Sequence, residues 1–219
     1  MITLYGVHRS RALRNIWALE EMGLAYRLVP VIPAFRVPDP AAPGAPLNTR
    51  SPEFLKLNPA GSIPVLDDDG VVLSESLAIN LWLSRRCGAP IGTNDLAESA
   101  RFAQWTLYAA TEIEPHSHAI LMHRVQLPPD QRDEAKVAAA IAALRRPLAV
   151  LDAALAGDGH PVGGRFTVAD IALAETLRYA LPAPELFEAA PHVKAWLAAC
   201  HARPAWKLIT ARREAEPAI

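Results

Sequence analysis

The chain has 219 residues, 51% of them hydrophobic, enough for one large domain or two modest ones around a sizeable core. A formal net charge of −1 removes the electrostatic basis for gripping nucleic acid or an anionic membrane. The two cysteines, Cys87 and Cys200, form no CxxC pair and no metal-like cluster, which fits a reducing compartment.

The opening stretch, MITLYGVHRSR, lacks the apolar run of a secretory signal. The longest apolar run, VAAAIAAL at 137–144, is far too short to span a bilayer, so the expectation is a soluble cytoplasmic protein with no membrane partner. Ile2 and Leu4 alternate with other residues until Gly6 breaks the run, the pattern of a short strand. Ser10 precedes a helical pattern in which Leu13, Ile16 and Trp17 share a face, and Gly23 stands where a C-terminal cap belongs. Tyr26 to Ile32 reads as a second strand, parallel to the first through the crossover helix.

The stretch PVIPAFRVPDPAAPGAPLNTRSP excludes a long helix or a central strand. It reads as a solvated loop over residues 33–52, with a lid over a neighbouring site as the alternative. Glu53 to Leu57 forms a short helical turn, and Ile63–Leu66 and Val71–Leu73 form a hairpin around Asp67–Gly70. From Ser74 to Leu83 the pattern is helical. Residues 1–83 therefore read βαβ-α-ββα, the order of a thioredoxin-like α/β domain. Residues 84–95 are a turn-rich linker, and 96–219 form an all-helical domain. Its helices are Ala100–Glu114, Ala135–Leu155 with a kink or break at Pro147, one opened by the capping box Thr167–Asp170, Val193–Cys200, and a last one from Pro204.

Within residues 58–76 three features suit one ligand. Pro64 at the head of a strand, after a bond that can be cis, leaves the backbone N–H and C=O of Ile63 free to pair with an extended peptide. Ser76 sits at a helix N-terminus, which favours a carboxylate, and Glu75 favours an ammonium group. The γ-glutamyl peptide glutathione has a central peptide with a free amine and carboxylate at one end.

Several stretches resemble the cytosolic glutathione transferase family: LYGVHRSRALRNIWALEEMGLAY, SPEFLKLNPAGSIPVLDDDGVVLSESLAINLWL, FTVADIALA and VKAWLAACHARPAW. The resemblance covers nearly the whole chain and implies the two domains above, a homodimer, and glutathione as co-substrate with no metal. It implies that Ile63, Glu75 and Ser76 hold glutathione, that Ser62 makes a weaker contact, and that Pro64, Thr167 and Asp170 are structural. The implied activity is detoxification by attack of the glutathione thiolate on a small hydrophobic electrophile. Peroxide reduction at the same site, or a binding module that kept the fold without the chemistry, are the alternatives.

A thiol of pKa about 8.5 is only a few per cent thiolate at neutral pH, and lowering it by about two units needs roughly 2.7 kcal/mol. Two hydroxyls are placed to supply part of that: Ser10 in the first strand-to-helix loop, preferred because it adjoins the helix start, and Tyr5 at the end of the first strand as the alternative. Ser10 also suits a plain helix N-cap, and Tyr5 a β-favouring aromatic. Arg9 and Arg11 add local positive charge, and neither cysteine lies in that loop. In the helical half, Trp105, Tyr108 and Glu112 are spaced to share a face, and with His116 they are the candidate electrophile pocket. His116, His118 and His123 lie close in sequence, but the first two diverge on a helix, so no metal is expected.

Overall fold

Four strands form one mixed sheet in the order β2-β1-β3-β4. In the computed structural model, which describes residues 1–217, these are β1 (Ile2–Tyr5), β2 (Tyr26–Val29), β3 (Val65–Asp68) and β4 (Val71–Ser74). β1 pairs parallel with β2 and antiparallel with β3, and β3 pairs antiparallel with β4. Helix α1 (Leu13–Glu21) makes the crossover that the parallel pair requires. It ends at Gly23, whose φ of +64° suits a residue without Cβ. The hairpin turns through Asp69 and Gly70, both at positive φ, with Asp67 Oδ1 accepting from the Gly70 N–H at 2.9 Å. Helices α2 (Pro52–Leu57) and α3 (Ser76–Cys87) complete the βαβ-α-ββα order.

Several boundaries differ from the sequence reading, three of them with a clear physical cause. β2 ends at Val29 rather than Ile32 because Pro30 follows and supplies no ladder donor. β3 starts at Val65, beyond the cis Ile63–Pro64 peptide. α3 runs on past Leu83 to Cys87, anchored by buried Asp68, which accepts from Trp82 Nε1 and Arg86 Nε at 3.1 Å each.

The chain divides into two compact units, Met1–Gly92 together with the segment from Pro204, and Thr93–Arg203. The last helix, α10 in chain order (Pro204–Ala215), thus belongs with the sheet rather than with the helices that precede it. Its buried Trp206 lies 4.6 Å, ring to ring, from buried Trp17 of α1, a contact that periodicity along the chain does not reveal.

The proline-rich segment is ordered around one side chain. Asn48 is fully buried and donates to the carbonyls of Pro40 and Pro46, while its Oδ1 accepts from the Arg50 N–H. Ile32 bonds Leu47 and Thr49 on either side of Asn48. The Asn48 amide thereby supplies donors to carbonyls in a stretch where proline removes backbone N–H groups.

In the second unit, α4 (Leu96–Tyr108) passes through a wide π-type turn at Ala109–Ile113 into α5 (Glu114–Leu121), so the helical path starts earlier and ends later than Ala100–Glu114. α6 (Glu134–Leu155) continues through Pro147 without a break. α7 (Val168–Arg178) is buried from Val168 to Leu177 and packs at the centre of the unit. Its capping box is formed as read. A short α8 (Glu185–Glu188), absent from the sequence reading, precedes α9 (Pro191–Ala202).

Candidate active site

The β1–α1 loop carries Ser10. Its Oγ donates to the Val7 carbonyl at 2.7 Å and accepts from the Ala12 N–H at 3.1 Å, closing a tight turn at the head of α1. The hydroxyl is half-buried. To donate to a ligand it must leave the Val7 carbonyl, at a cost of about one hydrogen bond, roughly 0.5–1.5 kcal/mol. The N-terminal amides of α1 and the helix dipole lie directly behind it.

Tyr5 has a different setting. It packs with Leu47, Leu57 and Ile63 against the buried cluster of Val31, Phe54 and Val65. The two candidates thus stand in different settings: the Ser10 hydroxyl at a helix head, the Tyr5 side chain against an apolar cluster.

Ile63 lies just outside the β1–β3 ladder, whose first pair is Tyr5 with Val65, so its backbone is not committed there. Gly6 brings this point against the β1–α1 loop. A Cβ on Gly6 would lie 2.7 Å from the Ala12 Cβ and 3.9 Å from both the Ile63 Cβ and the Pro64 Cα. Only glycine permits that approach. Ser62 is exposed, and its Oγ and carbonyl both accept from the Asn58 side-chain amide, at 3.2 and 2.8 Å.

Glu75 is exposed and holds φ at +68°, a left-handed conformation that costs a non-glycine residue about 1–3 kcal/mol. It heads α3, so Ser76 falls in the first turn, where backbone N–H groups have no partner within the helix. Ser76 is buried and held from α1: Arg14 donates to its Oγ at 3.2 Å and Asn15 to its carbonyl at 2.7 Å. Asn15 also donates to Asn80 Oδ1 at 2.7 Å, and Asn80 returns a bond to the Arg14 carbonyl at 3.2 Å. Because the Ser76 oxygen accepts from a guanidinium, its own proton is available to a carboxylate. The head of α1 thus adjoins Ile63 on one side and fixes Ser76 on the other.

Arg14, Asn15 and Asn80 were missed in the sequence. Asn80 carried the one readable signal, a polar residue inside the apolar run LAINLWL. Arg14 gave none, because an arginine in a first helical turn is ordinary until its burial is known.

In the second unit, the Trp105 and Tyr108 rings meet edge to face at 5.4 Å, and the Tyr108 hydroxyl donates to the Pro147 carbonyl at 3.4 Å. Burial, reinforced by the Glu112 carboxylate, holds the Tyr108 phenol above its usual pKa. Glu112 is exposed in the wide turn, and His116 is half-buried one element further on, in α5. His118 packs edge-on against Tyr179 at 5.9 Å.

Comparison with known proteins decides the family. The model of the glutathione S-transferase N-terminal domain matches residues 9–86, and that of the C-terminal domain matches 108–204. Glutathione S-transferase 3 of Zea mays is 34% identical over 94% of this chain and 91% of its own. The chain belongs to the glutathione S-transferase family. The crystal structure of a theta class glutathione S-transferase from Xanthomonas axonopodis pv. citri, with glutathione bound, shares 31% identity at a TM-score of 0.77, covering 94% of this chain and 95% of that one. Elongation factor 1-gamma 2 of Oryza sativa subsp. japonica is 36% identical over 58% of this chain but only 30% of its own length. Membership of the transferase family accounts for the thioredoxin-like unit and the helical unit together.

Proposed function

We propose that the protein binds glutathione in its first unit, stabilises the thiolate with Ser10, and adds it to a small hydrophobic electrophile. The observation that carries the reading is the head of α1: the same few residues present a hydroxyl, abut Ile63 across Gly6, and hold Ser76 beside the strained Glu75. In this reading Ile63 pairs with the cysteinyl backbone. Ser76 and the first amides of α3 take the γ-glutamyl carboxylate, Glu75 takes the ammonium group, and Ser62 adds a weaker contact. The thiol proton leaves to solvent. Ser10 and the α1 dipole stabilise the sulfur anion, and its electron pair forms the new S–C bond as the leaving group departs. Trp105, Tyr108, Glu112 and His116 are proposed as contacts for the electrophile.

We assign the glutathione-binding role to residues 1–83, joined through 84–95 to the helical domain, with a cytoplasmic homodimer that detoxifies electrophiles as the working form. A glutathione titration, followed by thiolate absorbance at neutral pH, tests the chemistry. Ser10→Ala is expected to abolish most of the thiolate signal and Tyr5→Phe to leave it. Loss with Tyr5→Phe alone would transfer the role to the tyrosine. Parallel turnover with 1-chloro-2,4-dinitrobenzene and with cumene hydroperoxide separates transferase from peroxidase.

A second reading has its own observation: the partial match to an elongation factor subunit. A fold kept as an interaction module would bind glutathione without forming thiolate, or not at all.

A further inference from the structure

The chain's last described turn reaches back to the loop that holds Ser10. Glu216 Oε1 accepts from the His8 N–H at 2.9 Å and Oε2 from the Arg9 N–H at 2.8 Å, while His8 Nδ1 lies 3.2 Å from Oε1. His8 and Arg9 are the two central residues of the turn that the Ser10 Oγ closes onto the Val7 carbonyl. Two successive amides on one carboxylate make a backbone nest, the arrangement that holds anions at turns. The contact is reciprocal. Arg9 sends its guanidinium to the carbonyls of Arg213 and Glu214, at 3.2 and 3.3 Å, where α10 leaves acceptors without helical donors. On the far side Arg36, at the start of the proline-rich segment, donates to the Arg9 carbonyl at 2.9 Å. The Arg9 backbone is therefore held at its N–H by Glu216 and at its C=O by Arg36.

We propose that Glu216 is a positioning residue for thiol activation: its carboxylate fixes the Val7–Ser10 turn, and so sets where the Ser10 hydroxyl stands. The proposal rests on the reading of Ser10 given above. It gives the packing of α10 with the sheet unit a role at that loop. Ser10 is otherwise held within its own stretch of chain, by the Val7 and Ala12 contacts of its hydroxyl and by its carbonyl, which accepts from the Leu13 N–H at 3.1 Å. Charge-assisted bonds to both central amides add a tie from outside that stretch.

The test uses the full chain in three forms: parent, Glu216→Ala and Glu216→Gln. Amide hydrogen exchange at His8 and Arg9, without any ligand, reads the latch itself. Glu216→Ala should speed both amides by about tenfold or more, and Glu216→Gln, which keeps one acceptor oxygen, by less. Titration of the bound glutathione thiol reads the function. Glu216→Ala should raise its pKa by about half a unit in the parent background and by nothing further in Ser10→Ala, because the effect passes through the hydroxyl. Unchanged exchange in Glu216→Ala overturns the proposal. So does an additive effect on the thiol in the Ser10→Ala background. If the parent forms no thiolate, the functional reading fails and the positioning role with it, while exchange still decides whether the tail holds the turn.

Discussion

At the scale of single residues, the head of α3 shows a conformation kept against its intrinsic cost. Glu75 sits at φ +68°, which glycine would adopt without penalty. Relief of that strain is set against the larger unfolded-state entropy of glycine, about 0.4–1 kcal/mol. Glu75→Gly should therefore leave the unfolding free energy unchanged or raise it by up to about 2.5 kcal/mol. Glutathione binding should weaken about threefold in the same variant, the effect of losing one exposed charge pair. Calorimetric titration and denaturant unfolding on one preparation check both halves. A protein that loses stability without losing affinity would show that the strain serves packing instead. Glu75 and Ser76 were legible in sequence because acid and hydroxyl open an apolar helical run. The positive φ was not, since nothing in the residue type announces it.

At the scale of elements, the start of α7 depends on one buried carboxylate. Asp170 is fully buried and accepts from the Thr167 N–H and Oγ1, from His160 Nδ1 at 2.7 Å and from Trp196 Nε1 at 2.7 Å. The capping box was readable from the spacing of Thr167 and Asp170, but the two further donors come from a preceding loop and from α9. Asp170→Ala strands several buried donors and should cost about 3 kcal/mol or more, against about 1 kcal/mol for an ordinary cap. Thermal unfolding of Asp170→Ala beside Thr167→Ala measures the difference. Equal losses would mean that His160 and Trp196 contribute nothing. The β1–α1 loop supplies the companion case: Gly6→Ala places a Cβ 2.7 Å from the Ala12 Cβ, and the forced shift should cost about 1–3 kcal/mol in midpoint experiments.

At the scale of the whole molecule, acid stability has a nameable contributor. Burial pushes the pKa of His201 down to about 4, with the Glu175 carboxylate opposing and Arg178 adding to the shift. The folded chain then keeps this imidazole neutral at pH values where the unfolded chain, with an ordinary histidine near 6.5, takes up a proton. The stability it contributes is present above about pH 6.5 and is lost as pH falls towards about 4, an effect of order 3 kcal/mol at most. Urea unfolding at neutral pH and near pH 5 should show parent stability falling and His201→Gln falling less. Parallel losses would assign the acid sensitivity to other groups.

The order of elements, the thioredoxin-like unit and the helical remainder followed from local signals alone: period-two and period-3.6 apolar patterns, Asp-Gly at the hairpin, Thr and Asp three apart before α7. These signals act between neighbours in sequence, so the chain states them directly. The same holds for Ile63, Glu75, Ser76 and Ser10 as candidates, because each stands at the end of a readable element. What tertiary structure decided are relations across long stretches of chain. Trp206 joins Trp17, Arg14 is buried against Ser76, Asn48 orders the proline-rich segment, and Glu216 seats on the amides before Ser10. Sequence ranked Ser10 ahead of Tyr5 only by its place beside a helix start, whereas the folded chain shows the Tyr5 side chain packed on an apolar cluster and the Ser10 side chain at a helix head. Burial and hydrogen-bond geometry depend on which distant segments meet, and no pattern within either segment encodes the meeting.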